Sequence, residues 1–173
     1  MKILRSMLGA VCLSALFTHP AVGAGTESPQ TLRVDYIHSG NALNEQYALV
    51  RVLVEPLPWP GNPARPLDTT NRGVNLFEVV DPKTNRVLYS RGYSTVFGEW
   101  QTTEEAQKLS RGFEESLRFP MPDQPIRVRV LKRDDRNAFS VAWTLDVDPA
   151  STDIIRDVPL DKLLVASRGW PLA

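Results

Sequence analysis

The stretch from Ile126 to Val147 constrains the fold more than any other part of this chain. Ile126, Val128 and Val130 alternate with Arg127, Arg129 and Lys132. Phe139, Val141, Trp143, Leu145 and Val147 alternate with Ser140, Ala142, Thr144 and Asp146. A period of two places one face of a strand in an apolar interior and the other in water. Arg133 to Ala138 is a polar connection between the runs, so the segment reads as a half-buried antiparallel hairpin.

The same grammar recurs upstream. Leu32, Val34 and Tyr36 alternate with Arg33 and Asp35, and Gly40-Asn41 punctuates the run. Tyr47 to Val54 carries apolar residues on both faces, the pattern of a covered strand. Val74 to Val80 and Arg86 to Ser90 flank Asp81-Pro82-Lys83-Thr84-Asn85, which is turn chemistry, and form a second hairpin. Tyr93 to Trp100 continues with aromatic and β-branched residues. Pro56 to Pro66 holds five prolines around Trp59 and reads as an extended loop, because proline has no donor for a sheet ladder. Such a run could also serve a proline-reading partner.

One helix of about two turns is predicted between Thr102 and Gly112. Thr102 and Glu105 have capping-box spacing, Glu104 and Glu105 fall in the first turn, and Lys108 and Arg111 lie near the end. Seven or eight strands with turn signals at short intervals predict a mostly β fold, an antiparallel β-sandwich with one short helix.

The chain has 173 residues, which suits one domain. Lys2 and Arg5, the apolar run Met7 to Phe17 and the small residues Ala21 to Ala24 have the layout of a secretory signal peptide. The run is about half the roughly 20 residues that span a bilayer. The predicted organisation is a signal peptide over 1–24, cleaved after Ala24, a sandwich domain over 31–149 and a tail over 150–173, with a short helix at Leu160 to Ala166. The expected location is secreted or periplasmic, with no membrane attachment after cleavage. Cleavage removes Cys12, the single cysteine, so packing and hydrogen bonds must stabilise the remainder. It also leaves 18 basic against 20 acidic residues. That balance argues against a nucleic-acid partner, which needs a basic field.

The residues offer little to a catalyst. After cleavage His38 is the one histidine, so the cysteine- and histidine-rich ligand sets of zinc sites cannot be assembled. There is no His-Glu-x-x-His, no Gly-x-Ser-x-Gly and no phosphate loop. Glu104/Glu105 and Glu114/Glu115 are adjacent pairs whose side chains diverge. His38 reads as a residue that closes or packs the end of a strand. Arg127, Arg129, Lys132 and Arg133 read as a solvated basic stripe. No catalytic residue, metal ligand or cofactor is predicted. Trp59, Tyr93, Phe97, Trp100 and Phe119 lie in or beside irregular segments and form a candidate interaction surface, the alternative being that they plug the ends of the sandwich. The partners in view are a protein, a glycan or a separate peptidase domain.

Three segments carry a family likeness. They are Leu32-Arg33-Val34-Asp35-Tyr36 followed by His38-Ser39-Gly40-Asn41, the run from Tyr89 to Ala106 through Tyr93-Ser94-Thr95-Val96-Phe97-Gly98-Glu99-Trp100, and Phe113-Glu114-Glu115-Ser116-Leu117-Arg118-Phe119-Pro120. In this order they resemble the N-terminal domain of the M64 family of metallopeptidases, over roughly Thr31 to Pro149. The resemblance implies an N-terminal β-sandwich that precedes a zinc peptidase domain, whose name-giving member cleaves IgA. The His-Glu-x-x-His ligands belong to that second domain and have no counterpart positions here. The sequence therefore predicts a non-catalytic accessory or binding module. The alternatives are a fragment of a truncated peptidase and an enzyme of another kind.

Overall fold

The computed structural model describes residues 28–156. The predicted signal peptide and the predicted helix at 160–166 lie outside them. Seven strands and one helix follow in the order β1 (Gln30–Gly40), β2 (Glu45–Pro58), β3 (Asn75–Val80), β4 (Val87–Tyr93), α1 (Val96–Trp100), β5 (Arg111–Pro120), β6 (Ile126–Arg133) and β7 (Phe139–Val147). One sheet has the order β2-β1-β5, the other β4-β3-β6-β7, and every pairing is antiparallel. The two sheets pack face to face as a β-sandwich, as predicted.

Alternation decides what the sandwich buries. Leu32, Val34 and Tyr36 of β1 point inward and are buried, as are Leu117 and Phe119 of β5. Ile126, Val128 and Val130 of β6 meet them from the other sheet, with Phe77 and Val79 of β3. The predicted hairpin is present, with Val128 opposite Leu145 and Val130 opposite Trp143. Its turn is tied by Asp134, whose Oδ1 accepts from the amides of Arg136 and Ala138, and Asn137 takes a positive φ. Asp81 does the same work in the β3–β4 turn, where its carboxylate accepts from the Lys83 amide and the Thr84 hydroxyl.

Two local expectations are corrected. The first concerns β2. It is an edge strand, largely exposed along its first half, with Leu49 and Val50 nearly half accessible. Its apolar residues on two faces reflect a bulge between the pairs Asp35–Arg51 and Tyr36–Leu49, which changes the phase of the alternation. The strand also runs through Pro56 and Pro58 rather than stopping before them. Val54 N–H donates outward, to Ile155 O at 2.9 Å. The same parity puts Pro56 and Pro58 at positions whose donor would face outward, where a missing N–H costs the ladder nothing.

The second correction concerns the helix. The structure places it at Val96–Trp100, in the stretch of aromatic and β-branched residues upstream, capped by Thr95 Oγ1 accepting from the Gly98 amide at 2.9 Å. Residues 101–108 are turns. A capping box contributes about 1 kcal/mol, and a two-turn helix is marginal without packing. Here Glu105 is drawn elsewhere, accepting from Trp100 Nε1 at 2.8 Å and pairing with Arg111 at 2.7 Å. Gly112 ends no helix. It lies in β5 against β1, where a Cβ would sit 3.1 Å from the Ile37 side chain.

Packing of the sandwich also continues past Pro149. Ile154 is buried in the main core, and Ile155 pairs in parallel with Leu53 of β2. The sandwich thus draws on residues of the expected tail.

Candidate functional site

Three neighbouring strands each turn a polar side chain into the interior at one end of the first sheet. His38 follows Leu32, Val34 and Tyr36 in the inward phase of β1. Glu45 shares its phase with Tyr47 on β2, and Glu115 shares its phase with Leu117 and Phe119 on β5. The register sets Tyr36 opposite Glu115 and His38 opposite Tyr47. Gly40, at φ +147°, lets the β1–β2 turn close, since a Cβ there would fall 2.0 Å from Asn44 O. That turn sets Glu45 beside His38.

His38 is 1% exposed. Its Nδ1 lies 3.3 Å from Glu115 Oε2 and its Nε2 3.4 Å from Glu45 Oε2. These are ionic contacts without the alignment of a hydrogen bond. The imidazole ring lies between Tyr47 and Phe97, with centroids at 4.3 and 3.9 Å. Tyr36 donates to Glu115 Oε2 at 2.7 Å, and its hydroxyl oxygen is 3.3 Å from that of Tyr93. Lys132 reaches across from β6 and donates to Glu45 Oε2 at 2.6 Å and to Gln101 Oε1 at 3.0 Å. Gln101 in turn donates to Asn41 O at 3.0 Å, tying the helix end to the β1–β2 turn.

Burial works to lower the His38 pKa, but Glu115 and Glu45 outweigh it and hold the ring above the usual histidine value. Burial works to raise Glu45, but His38 and Lys132 hold it below the usual carboxylate range. Burial, reinforced by neighbouring tyrosine and carboxylate oxygens, raises the Tyr36 and Tyr47 hydroxyls far above their ordinary value. Tyr47 Oη and Glu115 Oε1 are buried without a protein hydrogen-bond partner. An open pocket of about 480 Å³ lies over this end, lined by Gly40, Asn44, Glu45 and Arg111 among others. Glu45 therefore touches both the cluster and solvent.

This arrangement brings two carboxylates, an ammonium group and an imidazole together inside the fold. His38 is closed in by rings on both faces and by carboxylates at both nitrogens. The carboxylate of Glu45 is taken by an ammonium group. Among the described residues no three His, Cys, Asp or Glu side chains are placed to hold a metal ion.

The aromatics expected to form an interaction surface are packed inside. Phe97 and Phe119 are fully buried and Trp100 nearly so. Phe119 sits 6.3 Å from Phe77 across the sheets. Tyr93 meets Phe77 edge-on at 5.9 Å. Trp59, half-buried, meets Tyr89 edge-on at 5.6 Å. These rings fill the interior and its ends, in keeping with the second of the two readings the sequence allows. The basic stripe is likewise engaged. Arg127 pairs with Asp146, Arg129 with Glu78 and Lys132 with Glu45, and Arg133 donates to the carbonyls of Gly73 and Asn71.

The polar cluster was missed from sequence, although a signal for it exists. Carrying the alternation of β1 two residues past Tyr36 turns His38 inward. Carrying that of β5 two residues before Leu117 does the same for Glu115.

Residues 26–144 match the family described as Peptidase M64 N-terminus. No curated protein matches the chain. The match covers more than half of the sequence, so the chain belongs to that family, and it corresponds to the N-terminal module rather than the catalytic domain.

Proposed function

We propose that this member of the Peptidase M64 N-terminus family is an exported accessory module that binds a peptidase domain and performs no hydrolysis itself. The match over residues 26–144 carries the reading, because it assigns nearly the whole sandwich to the family's N-terminal module. The chemistry of the interior agrees with it. The one histidine of the sandwich is enclosed, and its neighbours are committed to one another. Export rests on the basic start at Lys2 and Arg5 and the apolar run that follows.

The test has two arms. Purified protein is assayed for proteolysis with added zinc and with a chelator, and it is titrated calorimetrically with a catalytic domain of an M64 peptidase. Saturable binding without turnover is the expected result. Chelator-sensitive cleavage by the purified chain would overturn the reading, and so would failure to bind the catalytic domain.

A further inference from the structure

Four ionisable side chains from four strands meet where α1 lies on the sandwich: His38 of β1, Glu45 of β2, Glu115 of β5 and Lys132 of β6. Two are carboxylates and one is an ammonium group. Their charges cancel only when the fourth, His38, is an imidazolium. The closeness of two carboxylates favours the same form. A neutral imidazole has one N–H, so one of its nitrogens would turn a lone pair toward a carboxylate oxygen. Both nitrogens here face carboxylate oxygens, at 3.3 and 3.4 Å. The ring also lies against the π faces of Phe97 and Tyr47, which favour a cation.

We propose that His38 is a charged fastener for the α1 corner, and that its deprotonation releases the corner and bares Phe97, Trp100 and Phe113. The corner is otherwise held by a small set of contacts. Its own apolar cluster consists of Phe97, Trp100 and Ala106, with Ala42 and Phe113 at the margin. Phe97 rests directly on the imidazole. Other ties are Gln101 to Lys132 and Asn41, Ala42 N–H to Ala106 O at 2.9 Å, the Glu105–Arg111 pair, and the packing of Phe97 and Trp100 on Phe113 of β5. Losing the imidazolium proton leaves two carboxylates facing one ammonium group in a buried site, an imbalance that opening relieves.

The groups that face His38 are Glu45 and Tyr47 from β2, Glu115 from β5 and Tyr36 on its own strand, with Lys132 from β6 and Tyr93 from β4 one contact further out. Both tyrosines beside it, like Tyr93, titrate above their ordinary range and stay neutral throughout. The sign follows from His38 being raised. Its contribution is fully present below the unfolded histidine value of about 6.5 and is lost as pH rises through the folded value. On the acid side Glu45, being lowered, keeps its charge until pH falls below the ordinary carboxylate range.

Nuclear magnetic resonance of the labelled chain tests this with two readouts. The His38 ring carbons report its titration. The Trp100 indole N–H, which donates to Glu105 Oε2 at 2.8 Å, reports whether the corner is closed through its protection from solvent exchange. The expected result is a His38 midpoint above the usual value. Trp100 protection should fall about tenfold as pH rises through that midpoint, while the Val128 amide stays protected. His38→Gln should give low Trp100 protection at every pH. Should that variant fail to fold, Glu115→Gln serves instead, and it should lower the His38 midpoint and move the Trp100 transition with it. A His38 midpoint at or below the ordinary value, or Trp100 protection that ignores the titration, overturns the proposal.

Discussion

Fourteen buried side chains drawn from both sheets and from Ile154 make up the main core, whereas three, Phe97, Trp100 and Ala106, make up the cluster beneath α1. The main core is fixed mainly by apolar contact, with alternating residues of β1, β5, β3 and β6 interlocked across the sandwich. The α1 corner is fixed by a short helix, a few hydrogen bonds and a charged histidine. Apolar burial is non-directional and insensitive to pH, while a buried ionic cluster holds only while every member keeps its charge. One domain therefore contains a part whose stability comes from area and a part whose stability comes from charge balance.

That contrast can be broken most forcefully in the core. Phe119→Ala removes a fully buried ring from the centre of the sandwich. It should cost about 3–5 kcal/mol and lower the single cooperative unfolding transition measured by circular dichroism. Trp100→Ala removes a still larger side chain from the corner. Because the corner can open without the sandwich, global stability should fall by only about 1–2 kcal/mol, with faster amide exchange confined to residues 95–113. Equal losses in the two variants would erase the distinction.

A smaller effect comes from the outer face of the first sheet. Asp35 is bonded there by Arg33, Arg51 and Ser116, each at 2.6 Å. Burial works to raise this carboxyl, but those bonds hold it below the usual range. Its contribution is therefore present above the unfolded value of about 3.9 and disappears as pH falls through the folded one. Asp35→Asn should destabilise the protein at neutral pH by about 1–3 kcal/mol, and acid titration of both proteins should bring their stabilities together. The least effect is expected at Arg127, whose pair with Asp146 lies in solvent. Arg127→Ala should leave the melting temperature where it is.

The two regions also differ in how far the sequence discloses them. The strands of the core are readable because burial acts on every second residue, and His38 and Glu115 obey that rule even though neither is apolar. The helix is not readable in the same way. Thr102 and Glu105 carry a genuine capping signal, but it is local and weak, Glu105 is drawn to Trp100 and Arg111, and β5 takes up the Arg111 and Gly112 that would close the helix. Thr95, the actual cap, precedes a segment whose aromatic and β-branched residues favour a strand. The half-exposed state of β2 is concealed by its bulge, and the burial of Ile154 by the absence of any periodic neighbour. The aromatics at 93, 97, 100 and 119 stand beside irregular segments in sequence, yet Tyr93 and Phe119 lie on β4 and β5 and Phe97 and Trp100 on α1, and all four turn inward.

Native-state hydrogen exchange at increasing denaturant tests the division between core and corner most directly. The Gln101 amide, which donates to Phe97 O at 2.8 Å, reports the corner, and the amides of Val34 and Val128 report the sandwich. Gln101 should exchange through a local opening of low free energy and small denaturant dependence, while Val34 and Val128 exchange only on global unfolding. Exchange of all three at one free energy, with one denaturant dependence, would contradict the account.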